Sequence, residues 1–314
     1  MPSYKPQHLS YSIRDLSPYI HWSYFFHAWN LPPFVAGVAH VHHCVSCETA
    51  WTRSMGKERE KVCREALSLF HDAQGMLQDM ADRRRQAEAL FMLCEADSEG
   101  EDITVRIEEV NKSILSVRLP FLRQQNPSAN GYCQCLSDFV RPKGKLPVDH
   151  IGLFATTMRV ADTESSCPDP YEKMLRQTLS DRLAEAAAER LHEEVRKSLW
   201  GYAKDEQLTI DEMLAARYQG IRPAVGYPCM PDLSLNKLLA DILHFDLIGI
   251  SLTENGMMEP HASVSGLMIS HPQAEYFSVG KIGQDQLKDY ASRRGLSVEN
   301  LSRFLAANIS HSPL

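Results

Sequence analysis

The longest helical signal in the chain spans residues 169–200, rich in Ala, Leu, Glu and Arg, with Asp169 and Ser180 near possible starts. Its Leu175, Leu179, Leu183, Leu191, Val195 and Leu199 recur mostly at intervals of four. On a helix of 3.6 residues per turn such a stripe drifts by about 40° per step, so no single flat face can bury it. A helix of this kind is curved, broken or covered on more than one side, and the rest of the fold has to accommodate that.

The remaining elements fall irregularly around it. Residues 57–82 carry helical spacing of apolar groups (Val62, Ala66, Leu69, Phe70, Ala73, Met76, Leu77, Met80), with a charged opposite face. Short apolar or alternating runs at 89–94, 103–107, 114–119 and 151–155 predict strands, as do 248–252, 263–270 and 276–279. A further helix is expected over 284–294, stopped at Gly295. Strands and helices do not alternate as βαβ units would, which predicts an α+β fold with a largely antiparallel sheet. The breaker-rich stretch 120–131 runs straight into apolar sequence, and there is no repeat or low-complexity linker. Residues 1–314 therefore read as a single unit with an N-terminal arm.

Composition narrows the function classes. A hydrophobic content of 44% against 23% charged residues suits a globular core. The net charge of −7 is dispersed, and Arg83-Arg84-Arg85 is too short and too close to acids to form a nucleic-acid footprint. Met1-Pro-Ser-Tyr-Lys-Pro has no apolar leader region, and no stretch is long and apolar enough to span a membrane, so a cytoplasmic location is expected. Eight cysteines in such a chain read as thiols or ligands rather than a disulfide framework.

Arg222-Pro-Ala-Val-Gly-Tyr-Pro228 places one permanent cation, two prolines and a permissive glycine in seven residues. That is the chemistry of a fixed irregular loop carrying an anion-binding fork. An arginine there can clamp a carboxylate, or it can cap a helix end or pair with a surface acid. With this loop stand Asp15-Leu-Ser-Pro-Tyr-Ile-His-Trp22, Leu136-Ser-Asp-Phe-Val140, Asp149-His-Ile-Gly152, Asp181-Arg-Leu-Ala-Glu-Ala-Ala-Ala-Glu189, Trp200-Gly-Tyr-Ala203, Ala262-Ser-Val-Ser-Gly266 and Ser270-His-Pro272. In these blocks and their order the chain resembles the activation (reactivation) domain of cobalamin-dependent methionine synthase.

The resemblance implies a C-shaped single domain with a twisted, largely antiparallel sheet flanked by helices. It implies a shallow groove for S-adenosylmethionine and an accessory role in reductive reactivation of a cobalamin methyltransferase. There the sulfonium methyl, with an electron from a flavodoxin-type donor, restores methylcobalamin on a cobalamin-carrying partner. Methyl transfer to reduced cobalt needs position rather than a protein nucleophile, so a missing catalytic triad is no objection. By the same resemblance Arg222 takes the ligand carboxylate, Pro223, Ala224 and Gly226 belong to the adenosyl-pocket loop, and Tyr276 and Phe277 stand beside the ligand. Tyr227 is expected to face the corrin. Asp181 and Glu185, one helical turn apart, are expected to meet the partner, or else to form an ordinary solvated face.

Three positions depart from the family pattern. His21 replaces an aspartate that pairs with the ligand ammonium; a neutral imidazole can accept one hydrogen bond, and a protonated one repels that ammonium. Pro231-Asp-Leu-Ser-Leu-Asn-Lys237 keeps only the ends of a Pro-x-His-Thr-x-Lys stretch, and His261 replaces a glycine. These changes favour a rival expectation, a non-catalytic module that docks a corrinoid protein or delivers electrons to it. An insertion at about 31–56 holds His40, His42, His43, Cys44 and Cys47, a set able to ligate zinc or iron, or to remain plain thiols and imidazoles. Cys133 and Cys135 join it only if the fold brings the segments together. The chain lacks an Asp-x-His-x-x-Gly cobalt-ligand motif and any homocysteine or folate module, so cobalamin is expected on a partner.

Overall fold

The computed structural model describes residues 5–108, 113–127, 131–159 and 169–310. Its strands run β1 (Gln7–Ser12), β2 (Gln86–Glu99), β3 (Asp102–Glu108), β4 (Ile114–Pro120), β5 (Asp149–Met158), β6 (Ser251–Leu252), β7 (Met258–Glu259) and β8 (Ser263–Met268). β2 is the spine of a six-stranded sheet. One edge of it pairs with β5, which carries β8 on its far side. Its other edge pairs end to end with β1 and with β3, and β3 carries β4. Every pairing is antiparallel, as the irregular order of elements predicts.

Ala87, Ala89, Phe91 and Leu93 of β2 enter one core, whereas Leu90, Met92, Cys94 and Ala96 enter the other. Burial on both faces explains why this strand reads as one continuous apolar run instead of an alternation. The first core is closed by the helices Glu60–Asp82 and Pro170–Glu194 and by N-terminal segments that bury Phe25, Phe26, Val35 and Val38. The second is closed by the helix Leu235–Leu243 and its flanks. A third, smaller cluster joins the helices Gln284–Arg294 and Val298–Phe304.

The central helix Pro170–Glu194 lies between the sheet and the N-terminal helices, so Leu175, Leu179, Leu183 and Leu191 can drift around it and still be buried. Beyond Glu194 it widens into a π turn, Val195–Leu199, where the amides of Trp200 and Gly201 both reach the Val195 carbonyl. The break expected somewhere in 169–200 is this turn.

Two expected strands are not formed as such. Residues 276–279 run as irregular chain whose Val279 amide bonds the Pro228 carbonyl, so their β-favouring side chains serve a loop instead of a ladder. Of 248–252 only β6 is strand; it follows the 3₁₀ turn Phe245–Ile248 and pairs with β7. The helix Gln284–Arg294 forms as expected and stops at Gly295, whose φ of 64° is left-handed.

In the helix Glu60–Asp82, exposed Gly75 stands where an added Cβ meets nothing within 4 Å. Gly75→Ala is expected to stabilise the protein by about 0.5–1 kcal/mol, read as a higher urea midpoint at unchanged slope. A lower midpoint would contradict a continuous helix there.

Candidate functional site

Asp181, Glu185, Glu189, His192 and Arg196 succeed one another at intervals of three or four and form a polar seam along the central helix into its π turn. Each is held by the stretch between residues 202 and 261. Asp181 Oδ1 lies 3.1 Å from His261 Nδ1, the Tyr227 hydroxyl donates to Glu185 Oε1 at 2.7 Å, and Arg222 Nη2 donates to Glu189 Oε2 at 3.0 Å. His192 Nε2 is 3.2 Å from the Tyr202 hydroxyl, and Arg196, fully buried, forks onto both oxygens of Glu206. The seam fixes the signature loop against the helix.

From the other side the loop is stitched to β8. The Val225 amide donates to the Ser265 carbonyl and the Leu267 amide to the Pro223 carbonyl, both at 2.9 Å, with Ala224 facing Gly266 as in a ladder. Gly226, at a φ of 91°, turns the chain so that its amide meets the Met230 carbonyl. Pro223, Ala224 and Gly226 thus contribute backbone under the site. The Pro231–Lys237 stretch also works as structure: buried Asp232 takes Tyr290 and Arg294, and Asn236 bridges Gly256 and Ser265.

Seam and loop wall a cleft of about 770 Å³ lined by Tyr19, His21, Tyr24, Arg182, Glu185, Glu189, Tyr218, Arg222, Tyr227, Tyr276 and Phe277 among others. Six of the expected residues meet here: Arg222, His21, Glu185, Tyr227, Tyr276 and Phe277. Asp181 is at its edge, held by His261, and does not line it. Five of the lining residues named, Tyr19, Tyr24, Arg182, Glu189 and Tyr218, were passed over by the sequence reading. Glu189 could have been found by extending the Asp181, Glu185 spacing by one more turn.

Arg222 is only 7% exposed, and Glu189 only 6%. Burial opposes the charge of the guanidinium, but the Glu189 carboxylate beside it holds its pKa well above the ordinary value. Among the described residues its Nε and Nη1 have no hydrogen-bond partner, nor does Glu189 Oε1; Glu185 Oε2 is 3.9 Å from Nη1. A buried ion pair with two spare donors and one spare acceptor suits a zwitterion, carboxylate to the arginine and ammonium to the glutamate.

Tyr276 is 42% exposed as a whole, yet its hydroxyl is tucked in, accepting the Arg222 amide at 2.8 Å and lying 3.2 Å from the Tyr218 hydroxyl. Its ring face is therefore free while its polar end is fixed. Burial raises the pKa of Tyr218, Tyr227 and Tyr276, keeping them neutral donors and apolar walls. Tyr218 is backed by the Arg196 guanidinium 4.3 Å from its ring and by His192 edge-on. Burial, then Arg182, lowers the His21 pKa; a backbone hydrogen bond and Glu189 only partly oppose this. The imidazole is neutral at neutral pH and also borders a second, more open cleft of about 1100 Å³ lined in part by His40, His43 and His71.

The His/Cys set does not converge as one group. Ligand atoms of His42, Cys44 and Cys47 lie within 4.8 Å of one another, and His43 joins Glu48 and His71 in a separate trio. His40 belongs to neither, and Cys133 and Cys135 do not join them. The seven described cysteines are free thiols.

A six-stranded antiparallel sheet, a central helix with a polar seam and a proline-bounded arginine loop thus frame one cleft of about 770 Å³. The chain belongs to the family described as vitamin B12 dependent methionine synthase, activation domain, whose sequence profile matches residues 12–295. It is also similar to a crystal structure of the MetH reactivation domain bound to AdoHcy, at 35% identity and a TM-score of 0.82, over 99% of this chain and 93% of that one. Among the described residues no helix is long and apolar enough to cross a membrane.

Proposed function

We propose that the cleft holds S-adenosylmethionine and presents its sulfonium methyl to reduced cobalt on a cobalamin-carrying partner, with electrons from a flavodoxin-type donor. The observation that carries this reading is the buried Arg222–Glu189 pair, both residues of the cleft lining, whose Nε, Nη1 and Oε1 are buried without a hydrogen-bond partner among the described residues. The likeness to a domain crystallised with AdoHcy supports it, because that molecule is the demethylated form of the same ligand. Arg222 receives the carboxylate; Glu189, assisted by Glu185, receives the ammonium and offsets the sulfonium. Tyr276 and Phe277 give the adenosyl group an apolar bed, and Tyr227, tied to Glu185, borders the face where the corrin is expected. In the transfer the carbon–sulfur electron pair stays on sulfur as the methyl leaves for cobalt. The chain's residues supply position and water exclusion.

The test is calorimetric titration of the protein with S-adenosylmethionine. One-to-one binding at neutral pH is expected, and its absence would leave the non-catalytic docking module as the reading. Affinity should be flat through neutrality and fall at least about tenfold on acidification below the ordinary histidine range near 6.5, because the protonated His21 ring then faces a cationic ligand. The sign follows from a folded pKa lowered by burial. Glu185 and Glu189 face the same cleft and would also weaken binding once protonated, so His21→Asn, which keeps an acceptor that cannot titrate, should shift the acid limb to lower pH. An unshifted limb would remove His21 from the ligand's surroundings.

A further inference from the structure

The His/Cys loop has a chemistry that the cleft does not use. Cys44 is the N-cap of the helix Val45–Ser54, and Cys47 lies in its first turn, so both thiols stand at the helix start. His42, two residues before the cap, turns back so that its carbonyl accepts the Cys44 amide at 2.9 Å. The result is one imidazole and two thiols with ligand atoms within 4.8 Å of one another. In a filled tetrahedral zinc site with bonds of about 2.0–2.3 Å, such atoms stand roughly 3.5–3.8 Å apart.

The adjacent trio explains why this set is preformed. Glu48 Oε1 lies 2.7 Å from His71 Nε2 and 3.4 Å from His43 Nδ1, and the His43 ring stacks on Phe70. These contacts tie the start of one helix to the face of the next, so the backbone carrying Cys44 and Cys47 is anchored. They also satisfy the trio internally as histidine–carboxylate pairs, which leaves no need for a metal there. The thiols instead face one another and His42: Cys44 Sγ lies 3.1 Å from Ser46 Oγ and is also hydrogen-bonded with the Cys47 amide, the His42 side chain and the Cys47 thiol.

We propose that His42, Cys44 and Cys47 form a zinc site with three protein ligands and a fourth position open to water or an exogenous donor. Two thiolates and an imidazole select a borderline-soft divalent ion over magnesium or calcium. Binding releases the two thiol protons, and the ion pins the loop to the helix start. The site rests on no part of the methyl-donor reading.

The full-length protein, reduced and stripped of metal, is titrated with Zn²⁺ and separately with Co²⁺. One equivalent should bind, and the cobalt form should show a sulfur-to-cobalt charge-transfer band with the visible intensity of a tetrahedral ion. Cys44→Ser and Cys47→Ser should each abolish that band and weaken zinc by at least about a hundredfold, and His42→Ala by at least about tenfold, whereas His40→Ala and His71→Ala should keep the band. The wild-type cobalt spectrum decides the matter even if a variant folds poorly. Thiols that titrate freely with saturating zinc present, or a metal that survives both cysteine changes and leaves with His71→Ala, would overturn the proposal.

Discussion

Arg222→Ala is expected to weaken S-adenosylmethionine binding by roughly a hundredfold or more in calorimetry and to lower the unfolding free energy by about 3–5 kcal/mol in urea. The two losses have different causes and can be separated. Hydrogen bonds from a charged donor contribute about 1.5–3 kcal/mol each, so losing Nε and Nη1 as carboxylate donors costs at least about 3 kcal/mol, roughly a hundredfold in Kd. The stability loss comes from Glu189, which is 6% exposed and is left as a buried carboxylate without its cation. Adding Glu189→Leu to Arg222→Met removes both charges, and most of the stability should return, because a buried pair replaced by apolar groups is often neutral. Binding should not return. Ligand affinity within threefold of wild type in Arg222→Ala would remove the arginine from the site.

This pair also shows what sequence can and cannot reveal about such a site. The loop around Arg222 stands out because two prolines and a glycine in seven residues have few uses other than a fixed irregular turn. Glu189 does not stand out by the same logic: the spacing from Asp181 and Glu185 puts it on their helix face, but the fold is what turns that position inward. Of the sequence alternatives for the arginine, the pairing with an acid is seen, but the acid is a buried one, and two donors of the guanidinium stay unused. For Asp181 and Glu185, pattern alone could not choose between a solvated face and a contact, because the partners, His261 and Tyr227, lie 80 and 42 residues further on.

The fold was legible where local chemistry and burial agree. The helix Glu60–Asp82 shows its apolar stripe because one side faces the core and the other faces water. The central helix hid its role because it is covered on most sides, yet the drift of its leucines announced that coverage. The strand expected at 276–279 was misread for a physical reason: Tyr276, Phe277 and Val279 favour strands by residue type, but here their rings wall a cleft and Val279 bonds a loop. The His/Cys cluster was read as one group because spacing along the chain carries no direction. A change of course at the helix cap sends His42 and Cys44 to one trio and His43 to another.

The second large effect is expected at Gly266, far from any ligand atom in type but directly beneath the loop. A Cβ built there falls 2.1 Å from the Pro223 carbonyl oxygen, 2.8 Å from Ala224 Cα and 3.0 Å from Phe154 Cε1. The first two are backbone atoms of a proline-braced loop, so no rotamer change relieves the contact. The loop has to lift off β8, breaking the 2.9 Å bonds between Val225 and Ser265 and between Leu267 and Pro223. Overpacking of this kind costs about 1–3 kcal/mol, and two broken backbone bonds add about 1 kcal/mol each. Gly266→Ala should therefore lose about 3 kcal/mol or more in urea denaturation. It should also lose ligand binding, because lifting the loop pulls Arg222 away from Glu189, while Gly75→Ala raises stability and leaves binding unchanged. A Gly266→Ala protein with wild-type stability and affinity would show that the loop does not rest on β8 in solution. If the effect is found, Arg222-Pro-Ala-Val-Gly-Tyr-Pro228 and Ala262-Ser-Val-Ser-Gly266 are two halves of one device: the first places the guanidinium, and the second has to end in the only residue without a side chain for the first to lie flat.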